Sequence, residues 1–266
     1  MRCLGALLDA RVEVPLVVTH RDDPQERIWF ASVAELARRR GIETVLDPEP
    51  AELLKRLRAI APDFIFSFYY RRMLPPEVLA QAKRGAYNMH GSLLPKYRGR
   101  APVNWAVLHG ETETGATLHE MVAKPDAGRI VDQQAVPIGP DDLAVDVLRR
   151  VTDAAEIIMR RSIGPLLAGT ATLRPNNLAQ GSYYGGRRPE DGRIDWGKSA
   201  REIHNLVRAV APPYPGAFCD RLKVNRTQMV ERRAPTRELG PYREGGEWFA
   251  LCGDGKVLRL LEVQEK

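Results

Sequence analysis

At 266 residues, 44% hydrophobic and 28% charged, the chain is long enough for one large core, or for a medium core and a small second domain. Its 40 basic and 34 acidic residues leave a formal charge of +6, spread along the chain, which suits anionic small molecules at least as well as nucleic acid. Cys3, Cys219 and Cys252 are odd in number and far apart, so neither a disulfide framework nor a metal site is expected. No apolar run nears the roughly 20 residues of a membrane span, and a soluble, cytoplasmic protein without metal is the expectation.

The first 140 residues or so alternate short apolar runs with helical spacing. Val14–Thr19 is β-branched and apolar, a buried-strand signal. Ser32–Arg40 reads as a helix with Ser32 as N-cap, Glu35 completing a capping box and Gly41 past its end. A strand at Glu43–Leu46, a helix at Ala51–Ile60 and strands at Asp63–Phe68 and Ala86–His90 follow. Next come a helix over Ala101–His109 with Pro102 in its first turn, strands at Thr117–Val122 and Ile130–Pro137, and a long amphipathic helix over Leu143–Leu167. This alternation predicts an α/β domain over residues 1–169 with a mostly parallel sheet. Residues 170–200, rich in glycine and proline, read as a surface linker. Residues 201–266 begin with a helix and continue as short strands (Ala217–Cys219, Gln228–Arg232, Trp248–Cys252, Val257–Val263), which predicts a small C-terminal β-barrel or sandwich.

The chemistry concentrates in Asn88-Met89-His90-Gly91-Ser92-Leu93-Leu94-Pro95 and in Lys124-Pro125-Asp126-Ala127-Gly128. Asn88 and His90 are two residues apart, so on a strand their side chains share a face, and the strand stops at Gly91. Asp126 sits in a second loop. An amide to hold an oxyanion, an imidazole to move a proton and a carboxylate to set the imidazole's charge suit acyl transfer. Asp126 beside His90 is expected to raise the imidazole pKa and keep it protonated near neutral pH. Taken singly, Asn88 reads equally as a turn cap, His90 as a core histidine and Asp126 as a turn aspartate.

The run Asn88 to Pro102, with Gly115-Ala116-Thr117-Leu118-His119 leading to Asp126-Ala127-Gly128, resembles the two signatures of the formyltransferases that use 10-formyltetrahydrofolate. Within that family the chain is most similar to the formyltransferase domain of the bifunctional polymyxin-resistance protein ArnA. That likeness is carried by Phe66–Arg71, Asn104-Trp105, Gly110–Gly115 and Tyr214–Phe218. It implies a Rossmann-like formyltransferase domain, an OB-like barrel after it, and formylation of UDP-4-amino-4-deoxy-L-arabinose in lipid A modification. It also implies Asn88, His90 and Asp126 as the catalytic trio. Arg72, Met73, Leu74 and Arg100, with Val122, Ala123, Lys124, Pro125 and Asp126, would contact the folate co-substrate. Family members open with a strand before the helix near Cys3. Here Met1 falls at that helix, so a missing first strand is expected, through truncation or a misplaced start codon. Intact-mass measurement on the product of the native gene tests this.

Other residues carry both plain and functional readings. Lys96, Arg98 and Arg100 are either a solvated loop or contacts to a folate glutamate or a nucleotide diphosphate. Tyr69 and Tyr70 either pack or stack on a pterin or base. His20, His109, His119 and His204 read as structural or surface residues, Trp105 as helix packing, Arg187-Arg188 as a solvated pair, and Cys252 as inert. Two alternatives to a sugar formyltransferase stand. One is a methionyl-tRNA formyltransferase, against which the short, mixed-charge stretch His20–Arg27 counts, since a tRNA clamp should cluster positive charge. The other is a non-catalytic folate or nucleotide-sugar binding protein.

Overall fold

A computed structural model describes residues 1–22 and 28–265; residues 23–27 of the mixed-charge stretch lie outside the described residues. The elements run α1 (Arg2–Asp9), β1 (Leu16–Thr19), α2 (Val33–Arg39), β2 (Glu43–Leu46), α3 (Pro50–Ile60), β3 (Phe64–Phe68), the single turn α4 (Pro76–Leu79) and β4 (Gly85–His90). Then follow β5 (Arg98–Gly99), α5 (Pro102–Leu108), β6 (Glu113–Glu120), β7 (Ile130–Pro137) and α6 (Ala144–Ala168). The remainder holds β8 (Tyr183–Tyr184), α7 (Ala200–Val210), β9 (Ala217–Phe218), β10 (Leu222–Val230), β11 (Gly240–Glu244), β12 (Glu247–Leu251) and β13 (Val257–Glu265). The chain gathers into two compact units. One comprises Met1–Gly99, Gly115–Ala135 and Val151–Tyr183; the other comprises Arg100–Thr114, Val136–Arg150 and Tyr184–Lys266.

The first unit is α/β and Rossmann-like. β1 and β2 pair in parallel as a two-stranded sheet, and β3 and β4 pair in parallel within a second sheet of order β3-β4-β6-β7. Leu16 and Val18 of β1 and Ile65 of β3 pack on the same buried cluster of Leu53, Leu57 and Val78, supplied by α3 and α4. Apolar side chains on one face of each strand are thus covered by a helical layer, which the alternation of strands and helices requires. α2 starts as its sequence predicts, with Ser32 Oγ accepting from the Glu35 N–H at 3.2 Å. The reciprocal half of the box is not made, because the Glu35 carboxylate pairs with Arg39 one turn on.

β6 joins this sheet antiparallel to β4 and starts four residues before the predicted Thr117. The cause is Gly115. A Cβ there would lie 2.2 Å from the Gln134 carbonyl oxygen and 2.6 Å from Leu93 Cδ2. Without a side chain the backbone closes on its neighbours and the strand runs through the glycine instead of starting after it.

The second unit carries an antiparallel sheet of order β11-β12-β13-β10-β9, packed against α7. β11 escapes the sequence reading because glycines bracket it. Gly240 has φ +121°, and Gly245 and Gly246 at φ +58° and +84° turn the chain into β12. The capping box that starts α7 is complete: Ser199 Oγ accepts from the Glu202 N–H, and the Glu202 carboxylate accepts from the Ser199 N–H at 3.0 Å. Among the described residues no helix is long and apolar enough to cross a membrane.

Gly115→Ala is expected to destabilise the protein by about 1–3 kcal/mol, the range for overpacking a filled interior, since backbone must move to admit the methyl group. Urea unfolding monitored by circular dichroism checks this; an unchanged midpoint would refute the close-approach explanation.

Candidate active site

Strand pairing builds the site. In the β4–β6 register Asn88 stands opposite His119 and His90 opposite Thr117. Residues directly across an antiparallel pair share a face, as do residues two apart on one strand. Asn88, His90 and His119 are therefore brought to one face by register alone. Asn88 Nδ2 lies 3.2 Å from His119 Nε2.

Asp126 reaches this face from the loop joining β6 to β7. The loop is closed at its base by a bond from the Glu120 N–H to Arg129 O at 2.9 Å and by a two-pronged Arg129–Glu120 ion pair. Gly128 makes the closure possible, since a Cβ there would lie 2.0 Å from Glu120 O. Asp126 itself is in the left-handed region, φ +50°, which Asp tolerates better than most residues. Asn176 Nδ2 donates to the carbonyls of Asp126 and Gly128 at 3.0 and 3.2 Å. The result places Asp126 Oδ1 3.6 Å from His90 Nδ1 and 3.4 Å from His119 Nε2, while Oδ2 accepts the Gly99 N–H at 2.8 Å.

The hydrogen bonds set the imidazole tautomers. His90 Nε2 is 2.7 Å from the Tyr97 carbonyl oxygen, which can only accept, so Nε2 carries the proton. In the neutral ring the lone pair is then on Nδ1, facing Asp126. His119 Nδ1 donates to Glu120 O at 2.7 Å, which leaves Nε2 as acceptor for the Asn88 amide N–H. The carboxylate thus faces two ring nitrogens that each lack a proton in these tautomers, and a proton delivered to His90 Nδ1 is held by the negative charge beside it.

Burial decides the resting charge. His90 is 6% exposed, and its desolvation pushes the imidazole pKa below the ordinary histidine value, outweighing the opposing pull of Asp126 and the Tyr97 carbonyl. The expectation of a protonated His90 near neutral pH is therefore overturned: the Coulombic effect has the predicted sign but is smaller than desolvation. Burial of Asp126 acts to raise its pKa, but His119, His90 and the Gly99 N–H outweigh it and hold the carboxyl below the usual range.

The other candidates from the sequence are placed as follows. Arg72, Met73 and Leu74 follow β3. The Arg72 guanidinium pairs with Asp47 at 3.0 Å, Met73 is 66% exposed, and Leu74 packs on the α3 cluster. Val122, Ala123 and Lys124 are exposed and Pro125 half-buried, in the same loop as Asp126. Tyr69, at φ +57°, is exposed. Arg100 belongs to the second unit, where its N–H donates to Tyr184 O at 3.0 Å. There Tyr184 stacks on Trp105 at 4.9 Å, and the Arg187 guanidinium stands 4.8 Å from the Trp105 ring, so Arg187 is packed where a solvated residue was expected. Among the described residues no group of three or more His, Cys, Asp or Glu could hold a metal.

Sequence reasoning passed over His119, Asn176 and Ser182. His119 was read as structural, yet Thr117 and His119 alternate on one strand just as Asn88 and His90 do on theirs; only the register reveals that the pairs meet. Asn176 and Ser182, whose Oγ accepts the Tyr97 N–H at 2.8 Å, lie in the stretch read as linker.

Residues 5–163 match the formyl transferase family and residues 187–266 match the formyl transferase C-terminal domain. The chain belongs to the formyl transferase family and is an enzyme of formyl transfer. Among solved structures, it is similar to an N-formyltransferase from Helicobacter canadensis in complex with folinic acid and dTDP-3-aminofucose. That match has 21% identity and a TM-score of 0.77, covering 99% of this chain and 94% of that one. It is also similar to WlaRD, a sugar 3N-formyltransferase in the presence of dTDP and 5-N-formyl-THF, at 22% identity and TM-score 0.77, covering 97% and 92%. A 4-N formyltransferase from Francisella tularensis matches at 24% identity and TM-score 0.58, covering 68% of this chain and 73% of that one. At these identities the likeness is one of fold.

The His90 imidazole is expected to stay in the neutral Nε2–H form at pH 7 and to titrate below the ordinary histidine value of 6.5. Asp126→Asn should lower its pKa further, by removing the charge that most opposes desolvation. Two-bond ¹H–¹⁵N correlation spectra across a pH series report both, and an imidazolium at pH 7 would contradict the burial argument.

Proposed function

We propose that the chain transfers a formyl group from 10-formyltetrahydrofolate to the amine of a nucleotide-linked amino sugar, with UDP-4-amino-4-deoxy-L-arabinose as the preferred acceptor. The observation that carries the catalytic reading is the Asp126 carboxylate set within 3.6 Å of the proton-free nitrogens of two imidazoles. The donor is supported by the folinic acid and formyl-THF of the structurally similar enzymes, and the acceptor class by their amino-sugar and dTDP ligands. The particular sugar rests on the sequence likeness described above. The folate contacts assigned to Arg72, Met73, Leu74, Arg100 and Val122–Asp126 are part of the same proposal.

The sequence of events follows from charge. A sugar amine attacks only as the free base, and the attack develops an oxyanion on the formyl oxygen and a surplus proton on the amine nitrogen. The Asn88 amide spends one N–H on His119 and offers the other to the oxyanion. Neutral His90 accepts the amine proton at Nδ1, and the imidazolium so formed is stabilised by Asp126. The same Nδ1–H then protonates the departing folate nitrogen, without which that nitrogen leaves poorly. His119 acts through Asn88, whose amide it orients.

Purified protein given 10-formyltetrahydrofolate and a panel of UDP- and dTDP-amino sugars beside methionyl-tRNA should release tetrahydrofolate with a sugar. Formylation of the tRNA alone would overturn the proposal, and folate binding without turnover on any acceptor would favour a binding protein. Asn88→Ala, His90→Ala and Asp126→Ala should each lower the rate by about a hundredfold or more; near-wild-type turnover removes that residue from the mechanism. Because His90 must be neutral to accept a proton, kcat/KM should fall as pH drops through a pKa below 6.5. A profile that stays flat through the pH at which the His90 imidazole itself titrates, located by the same ¹⁵N spectra, would exclude His90 as the base.

A further inference from the structure

Two arginines in the described structure are nearly sealed from water, and they differ in one respect. Arg208 is 4% exposed and is met by protein: its Nε donates to Asn205 Oδ1 at 2.9 Å and its Nη1 to the carbonyls of Gly139 and Asp142 at 3.3 Å. Arg98 is 9% exposed, yet its Nε is buried without a hydrogen-bond partner. Its guanidinium faces the Tyr183 ring at 6.0 Å, and among the described residues no carboxylate forms an ion pair with it. A buried donor with no partner is costly, and a group from outside the chain can complete it.

The backbone around Arg98 is tied to the catalytic pair on both sides. Tyr97 O accepts from His90 Nε2, and the Gly99 N–H donates to Asp126 Oδ2. The Arg98 N–H points the other way, to Ser182 O at 3.0 Å. The guanidinium is therefore carried on a segment fixed against the reacting groups by one edge and against Ser182 by the other. A planar fork of donors suits a carboxylate or a phosphate, both of which it can grip with two parallel bonds.

We propose that Arg98 is a substrate-binding residue that pairs with an anionic group, carboxylate or phosphate, of one of the two substrates. This rests on the formyl-transfer reading for the identity of those substrates, but not for the existence of the site. The carboxylate would come from the folate donor and the phosphate from the nucleotide of the acceptor.

Arg98→Met removes the charge while keeping a long apolar stem, and Arg98→Lys keeps a charge without the fork. Calorimetric titration of wild type and both variants with folinic acid, UDP and dTDP reads binding without requiring turnover; thermal melting reads folding. The expected result is a loss of affinity of roughly ten- to hundredfold in Arg98→Met for one class of ligand, partial recovery in Arg98→Lys, and a melting temperature equal to or above wild type. A loss confined to folinic acid assigns the carboxylate, and a loss confined to the nucleotides assigns the phosphate. Unchanged affinity for all three, or a fall in affinity for every ligand together with a lower melting temperature, overturns the proposal in favour of a structural arginine. Binding that depends on Arg98, from a protein that formylates none of the acceptors tested, would count against the proposed amino-sugar acceptor and leave Arg98 standing.

Discussion

The site depends on holding one ionised carboxylate against two imidazoles inside the protein. Asp126 is largely buried, and burial by itself favours the neutral acid. What opposes this is a set of partners that only a folded loop supplies: the Gly99 N–H donates to one oxygen, and the two rings stand beside the other. Much of the local architecture serves that loop. Gly128 lets the β6–β7 strands close, Asn176 ties down two of its carbonyls, and the left-handed Asp126 backbone turns the side chain inward.

The same burial sets the chemistry available. Water around an imidazolium is worth more than one carboxylate at 3.6 Å can replace, so the resting His90 is uncharged. A neutral ring whose Nε2 proton is committed to a carbonyl has one free nitrogen, and that nitrogen faces the carboxylate. The arrangement is a proton acceptor at rest and becomes a donor only after it has been loaded, an order that suits a reaction in which an amine gives up a proton before a leaving nitrogen needs one.

Family membership fixes formyl transfer, while the acceptor is chosen by side chains that a shared fold leaves free to vary. Three of the solved structures to which the chain is similar are described with 3-aminofucose, sugar 3N-formyl and 4-N formyl chemistry on one architecture. Unsatisfied groups are the better guide to what this chain binds. The Nε of Arg208 finds its acceptor within the protein and the Nε of Arg98 does not, a contrast that only appears when the partners of each buried cation are traced.

By itself, the sequence determined the α/β class and the order of most elements, and it singled out Asn88, His90 and Asp126, which the structure brings together. Hydrophobic period, capping residues and the two-residue spacing on a strand are local properties. Glycine misled wherever its role was a close approach, as at Gly115, or a hairpin, as at Gly245-Gly246, because local reading treats it as a break. Tertiary structure alone decided that His119 joins the site, that Asn176 and Ser182 brace it from a supposed linker, and that His90 rests neutral. Each of these follows from strand register or from burial, and both are set by contacts between residues far apart in the chain.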